Sequence, residues 1–438
     1  MSKVGLAFHR TFHSVAHSRN FRLFFFGQIV SVTGTWMQSL ALAWLVLKLT
    51  DSGVALGIQM ALNFGPMLLI GAYGGLLADR RDKRTILIAT QSAFAVLAIA
   101  LWALVAFEVV DVWQVYGLSL LQGIVNAADN PARQSFYAEM VGEEDLTNAV
   151  SLNSAVMTGT RIVGPALAAV LIATRGLATC FLVNGISYLA VIGGLIAMRP
   201  DELHRTNRVD RRKGQIREGL EYVWRTSELR LPLLWMAVVF TFSFNFSVLF
   251  PLLAKWTFDG GPGVMAALFS VMGAGSMIGA LAMARQRDPN PRRLAISTAA
   301  FGVLSVAAAV APTLAVEIAV LIPLGVASMV FMITGNSTLQ LASRPDMRGR
   351  VMALYGIAFL GVAPIGGPVA GWIAERFRTR MSIGFGGIVA VVTGLVGLWM
   401  LARLRRQAPS AATQEERGKV VEVPVRVVGS NGTERLRT

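Results

Sequence analysis

Two things are scarce in these 438 residues: charge and cysteine. Charged residues make up 15% of the chain and hydrophobic ones 54%, whereas a water-soluble chain carries roughly a quarter charged residues. The deficit excludes an ordinary soluble globule and calls for a low-dielectric surround. The single cysteine, Cys180, sits in an apolar run, so a disulfide framework and a cysteine-based metal centre are excluded. No G-x-x-x-x-G-K-[ST] phosphate loop occurs, so the chain is not expected to be the ATPase of a primary pump. No Ser/His/Asp or zinc constellation stands out either. The expectation is a protein that is not an enzyme and needs no cofactor.

Long apolar runs are what the chain has in abundance. Charge-free stretches cover Leu23–Leu47, Ser52–Ala78, Thr85–Phe107, Val112–Ala128, Gly176–Met198, Leu231–Ala254, Gly260–Ala284, Leu294–Val316, Ile318–Ser343, Val351–Ala374 and Met381–Ala402. Ala149–Thr174, interrupted by Arg161, completes a set of twelve. A bilayer core of roughly 30 Å needs about 20 apolar residues per helix, and these runs are too long for barrel strands. The fold class read here is all-α: a polytopic membrane protein of twelve transmembrane helices. The division between the ninth and tenth spans is placed at Pro312 and Glu317. No A-x-A-like cleavage site follows a short apolar core near the N-terminus, so the first run is expected to remain as a span.

The net charge of +15 would suit nucleic acid only if it gathered on one soluble face. Instead it alternates. Numbering loops in turn from an inside N-terminus, inside segments hold 33 Lys/Arg and outside segments 6, with Arg161 left within a helix. Cationic loops favour the cytoplasm. The expected setting is the cytoplasmic membrane of a bacterium, with both termini cytoplasmic, lipid around the chain and no nucleic-acid partner.

A basic segment at 199–230 divides a six-span half (1–198) from a second (231–403), and a polar tail (404–438) is expected to be mostly disordered. Ile216, Leu220, Val223 and Trp224 fall on one face of a helix suited to the membrane surface. The halves echo one another. Gly71-x-x-x-Gly75 matches Gly275-x-x-x-Gly279, Asn130-x-x-x-Gln134 matches Asn336-x-x-x-Gln340, and Gly164-Pro165 matches Gly367-Pro368, all at nearly one offset. Two parallel repeats imply a pseudo-twofold along the membrane normal and a cavity where they meet.

Between the second and third spans stands Gly75-Leu-Leu-Ala-Asp79-Arg80-Arg81-Asp82-Lys83-Arg84. It resembles the signature G-x-x-x-D-R-x-x-[RK]-[RK] of the major facilitator superfamily, at the place where that family carries it. The resemblance implies a conformational latch, with Asp79 contacting the start of the eleventh helix while Arg80, Lys83 and Arg84 pair with nearby carboxylates. The fifth span, Gly159-Thr-Arg161-Ile-Val-Gly164-Pro165, is similar to the Gly-Pro motif of the superfamily's drug and siderophore antiporters. With Ser31–Gln38 and Asn130-Pro-Ala-Arg133-Gln134, the pattern resembles the exporter branch that contains the enterobactin exporter. What the resemblance implies is a monomeric secondary transporter that exports amphipathic small molecules by alternating access and proton antiport. Other cargo, such as lysophospholipid or a nutrient, and a receptor or scaffold without turnover are the rivals. Two departures bear on coupling. Ser119 stands where relatives often have an Arg before Gln122-Gly123, and Thr35 and Trp36 stand where many have an Asp.

The ionisable residues within spans are Asp129, Arg133 and Arg161, with Glu317 near an outer end. Charges inside a bilayer are costly and therefore functional candidates. Asp129 either handles protons or substrate, or forms a structural pair with Arg133 or Arg161. Gln38, Asn126, Asn130, Phe242, Asn245, Phe246, Asn336 and Gln340 are candidates for the substrate cavity, the Phe residues being equally suited to packing. His9, His13 and His17 share a helical face, but with no carboxylate or cysteine beside them in sequence they are read as an amphipathic helix and not as a metal site.

Overall fold

A computed structural model describes residues 13–204, 215–283, 291–345, 347–360 and 363–407. They form twelve long helical spans, and no strand occurs among the described residues. The spans are α1 (Arg19–Thr50), α2 (Gly53–Arg80), α3 (Lys83–Ala106), α4 (112–141), α5 (Glu144–Arg175) and α6 (Leu177–Ile196), then α7 (Ser227–Thr257), α8 (Pro262–Met283), α9 (Pro291–Ala309), α10 (Leu314–Ala342), α11 (Arg348–Phe377) and α12 (Thr379–Gln407). Eleven are long and apolar enough to cross a membrane. The exception, α4, carries Gln122, Asn126, Asp129, Asn130, Arg133 and Gln134 along its length.

Local chemistry sets most boundaries. Side chains of Ser18, Ser52, Asp82, Asp111 and Thr313 accept hydrogen bonds from first-turn amides of α1, α2, α3, α4 and α10, satisfying donors that a helix start leaves unpaired. Gly142, at φ 74° and ψ 179°, breaks the run from Val112 to Arg175 into α4 and α5; glycine takes that conformation without a Cβ penalty. The fourth span runs on past its charge-free stretch to 141, carrying Asp129, which Thr90 and Gln91 of α3 hold. One expected boundary shifts. Glu317 does not separate spans, because α9 ends at Ala309 and Thr313 caps α10 one turn before it.

Within the first half α1 packs on α5 and α6, α3 on α6, and α2 on α4; in the second α8 packs on α10 and α9 on α12. Glycines allow the closest approaches. A Cβ at Gly74 would collide with the Ala127 carbonyl, and one at Gly275 with the Ile322 carbonyl. These are equivalent α2–α4 and α8–α10 contacts in the two repeats, of the small-residue kind that suits helices in lipid. Asn20 exchanges hydrogen bonds with the Arg199 backbone at 2.9 and 3.0 Å, tying the end of α6 to the start of α1.

The halves meet along α2–α11 and α5–α8. Gly53 lies against Gly371, and Gly57 against Gly367 and Pro368, so closely that no side chain fits. The linker helix (Gln215–Arg225) buries Val223 and joins α11 through a Glu218–Arg350 ion pair at 2.6 Å, while Leu220 and Trp224 stay exposed. The side chain of Ile216, the basic cluster at 208–213 and the tail beyond 407 lie outside the described residues.

Candidate functional site

The bundle has two ends. One carries the N-terminal segment and the basic loops; the other carries the α1–α2 and α11–α12 turns. At the second end the halves are tied together. Asp51, held at φ 46° after α1, accepts hydrogen bonds from Lys255 Nζ at 2.8 Å and Trp256 Nε1 at 2.9 Å of α7. These bonds hold the Asp51 carboxyl below the usual carboxylate range. Glu375 of α11 accepts from Ser52 Oγ and from the Val54 amide. Lower down, Ser270 Oγ of α8 donates to the Ile162 carbonyl of α5 at 3.3 Å.

Towards the basic end the helices present polar faces. On α5, Ser151 and Ser154 are exposed and Thr158 half-buried, and they share a face with exposed Arg161. The apolar Val163, Leu167 and Val170 are exposed on the opposite face, so at 100° per residue Arg161 points away from the lipid side. Its guanidinium lies over the Trp36 ring, 4.9 Å from the centroid. Among the described residues it makes no hydrogen bond or ion pair. A charge within a span that faces away from lipid is a functional candidate, and the contact with Trp36 leaves the N–H donors of the guanidinium unmet.

Asp129 is arranged in the opposite way. It is 3% exposed, and both of its oxygens are occupied. Thr90 Oγ1 at 2.6 Å and Gln91 Nε2 at 2.9 Å donate to Oδ1, and Arg133 Nη2 at 2.6 Å and Nε at 2.9 Å donate to Oδ2. Of the two partners open to it in sequence, Asp129 therefore takes Arg133, and Arg161 stands apart. Glu317 on α10 is 0% exposed, and neither carboxyl oxygen has a hydrogen-bond partner. The cation acting on it is Arg380 at the start of α12. Sequence had placed Glu317 at a span edge; the Thr313 cap was the signal that puts it inside.

The other sequence candidates divide. Asn130 accepts from Gln134 Nε2 at 2.6 Å on α4, and Asn336 accepts from Gln340 Nε2 at 2.8 Å on α10. The echo in sequence is thus a matched pair of amide contacts, each Gln exposed and each Asn half-buried. Asn126 is half-buried nearby. Gln38 is buried and accepts from Asn184 Nδ2 at 2.8 Å, joining α1 to α6. Asn245 and Phe246 do not line an open surface. Asn245 donates to the Thr241 carbonyl at 2.7 Å where α7 is interrupted, and Phe246 packs in a cluster with Phe244, Phe250 and Phe301. Phe242, half-buried, meets the Phe385 ring edge-on at 6.0 Å. Gly164 brings α5 against Trp36, next to buried Pro165, whereas the space around Gly159 is open.

In the loop motif Gly75 is buried and Lys83 pairs with Glu139. Arg84 meets no carboxylate among the described residues: it donates to the Leu195 and Ile196 carbonyls at 2.6 and 3.1 Å, where the exposed end of α6 favours a cation. Arg80 is exposed and pairs with no carboxylate among the described residues. The Asp79 side chain, and with it the expected contact to α11, lies outside the described residues. His13 does have a carboxylate beside it, Asp145 at 2.9 Å, and stacks on His17, a contact supplied by tertiary structure; His9 lies outside the described residues.

Known proteins match over most of the chain. A family model described as transmembrane secretion effector matches residues 11–428. The staphyloferrin A transporter of Staphylococcus aureus is 26% identical over 60% of this chain, which spans 66% of that protein's length. The multidrug efflux pump Tap of Mycobacterium tuberculosis is 27% identical over 86% of this chain and 92% of its own. A solved POT family transporter in complex with 5-aminolevulinic acid superposes with TM-score 0.72 at 10% identity, over 87% of this chain and 96% of that one, which concerns the fold alone.

Proposed function

The chain belongs to the transmembrane secretion effector family of the major facilitator superfamily, and from that premise we propose that it exports amphipathic small molecules across a bacterial cytoplasmic membrane by alternating access coupled to proton entry. It works as a monomer, with the basic end in the cytoplasm. The observation that carries the reading is the one-sided arrangement of the interface between the halves. Hydrogen bonds and glycine contacts tie Asp51, Ser52 and Gly53 to Lys255, Gly371 and Glu375 at one end, while the polar stripe of α5 and the exposed Gln134 and Gln340 open at the other. That is the form an exporter takes while loading from the cytoplasm. The likeness to an efflux pump and to a siderophore transporter supports export of small molecules.

Proton exchange needs a carboxyl that can hold and release a proton. Asp129 is saturated by four donors and serves to bind α3 to α4. Glu317 has no such partners, so the coupling role falls to it. Asp79 remains the proposed latch residue.

Everted membrane vesicles test the reading. Energised vesicles containing the protein should accumulate an amphipathic dye and lose it when an uncoupler is added. Dye that binds without accumulating would point to a receptor instead.

A further inference from the structure

Arg161 is the one charge in the middle of the described spans with neither a hydrogen bond nor an ion pair. Asp129 and Arg133 neutralise one another within α4, Lys83 and Glu139 do so near the basic end, and Glu317 sits one turn inside the opposite end. The space beside Arg161 is therefore locally cationic. Its five N–H donors are unused, and the hydroxyls leading to it cannot substitute, since Ser151, Ser154 and Thr158 each donate to a carbonyl four residues back on α5. Trp36 closes one face of the guanidinium and is itself half-buried, offering a flat apolar wall beside the charge. The two are brought together by Gly164, where a side chain would collide with Trp36 Cβ.

We propose that Arg161 and Trp36 form an anion subsite for the cargo, and that this transporter selects amphiphiles with a carboxylate beside an aromatic or otherwise flat apolar body over cationic ones. The carboxylate takes the guanidinium's planar fork, and the apolar body lies against Trp36 on the way from the α5 stripe. The inference rests on the exporter reading above, with the polar stripe of α5 as the cargo path. An unpaired guanidinium repels a cationic drug and leaves a neutral one with no partner for the charge, so discrimination follows from the same atom that binds.

A series sharing one bicyclic body tests it: 1-naphthaleneacetate, 1-naphthaleneacetamide and 1-naphthylmethylamine, each titrated onto the purified protein in detergent while its melting temperature is followed by light scattering. The acid should bind about tenfold or more tighter than the amide, as a charge-assisted hydrogen-bond pair implies, and the amine more weakly than either. Arg161→Gln should erase the advantage of the acid, Arg161→Lys should keep part of it, and Trp36→Leu should weaken all three members alike. An amine that binds as well as the acid, no binding by any member, or an acid preference that survives in Arg161→Gln overturns the inference. If Arg161→Gln does not yield monodisperse protein, the acid-to-amine ratio in the parent and in Arg161→Lys decides the matter. Transport of the same compounds into proteoliposomes separates this inference from the exporter reading. Acid that binds but never moves would sink export and leave the subsite standing. Amine that moves as well in Arg161→Gln as in the parent would sink the subsite and leave export standing.

Discussion

Asp129 in the first half and Glu317 in the second are both carboxyl groups buried inside a membrane span, yet their surroundings have nothing in common. Asp129 lies deep in α4 among Thr90, Gln91 and Arg133, with every donor aimed at it within 2.9 Å. Glu317 lies one turn into α10, fully buried, with neither oxygen met by a donor. The same residue class therefore serves two ends. A carboxylate with four donors and its own counter-ion is a fixed part of the scaffold. A carboxyl with no donor and only the cation of Arg380 acting on it is, on the proposed reading, the one whose protonation can follow a movement of the helices around it.

The largest effect expected from this contrast is on stability. Asp129→Ala leaves the Arg133 charge buried and unpaired, which costs about 3–5 kcal/mol. The variant should show a strong fall in melting temperature in detergent or in folded yield, whereas Glu317→Gln should melt at or above the parent. A stable Asp129→Ala protein would return Asp129 to the list of working residues.

Thr90→Val sharpens the same comparison by removing a single donor. A hydrogen bond to a charged group contributes about 1.5–3 kcal/mol, so the loss should be partial and transport should persist at reduced stability. Complete loss of coupling in Thr90→Val, with folding intact, would show that the cluster around Asp129 does more than hold helices together.

The smallest effect concerns Asp51, an exposed carboxylate and so a useful contrast with both. Lys255 and Trp256 hold its carboxyl below the ordinary range. A depressed value means that its stabilising contribution is present at neutral pH and is lost only as pH falls from about 4 through that lowered value. An exposed pair is worth at most about 1 kcal/mol. Asp51→Asn should therefore shift the balance between closed and open forms slightly at neutral pH, read as accessibility of a thiol placed at buried Ala374 on a Cys180→Ser background, and the difference from the parent should begin to shrink only below about pH 4. A difference that already fades between about pH 7 and pH 5 would show that the carboxylate is not part of the tie.

The helical membrane fold was legible in the sequence: twelve apolar runs match the length that a bilayer imposes on each span. One boundary was misread. Charge was taken as the mark of a span's end, which put Glu317 between the ninth and tenth spans, though it is buried inside α10. The site was less legible. The meeting of Trp36 with Arg161, of His13 with Asp145, and of Asp129 with Thr90 and Gln91 joins residues far apart in sequence, and no spacing encodes them. Phe246 and Asn245 misled because an aromatic stripe in a helix looks the same whether it faces a cavity or another helix.

The central claim is that proton-coupled export runs through Glu317 and not through Asp129. Proteoliposomes loaded at one pH and diluted into another, with a labelled amphipathic acid outside, measure it directly. The parent should accumulate label against its gradient when the pH difference is imposed. Glu317→Gln should lose that accumulation while still exchanging label for unlabelled cargo at a comparable rate, and Asp129→Asn, where it folds, should still accumulate. Accumulation that survives in Glu317→Gln but fails in folded Asp129→Asn would contradict the assignment outright.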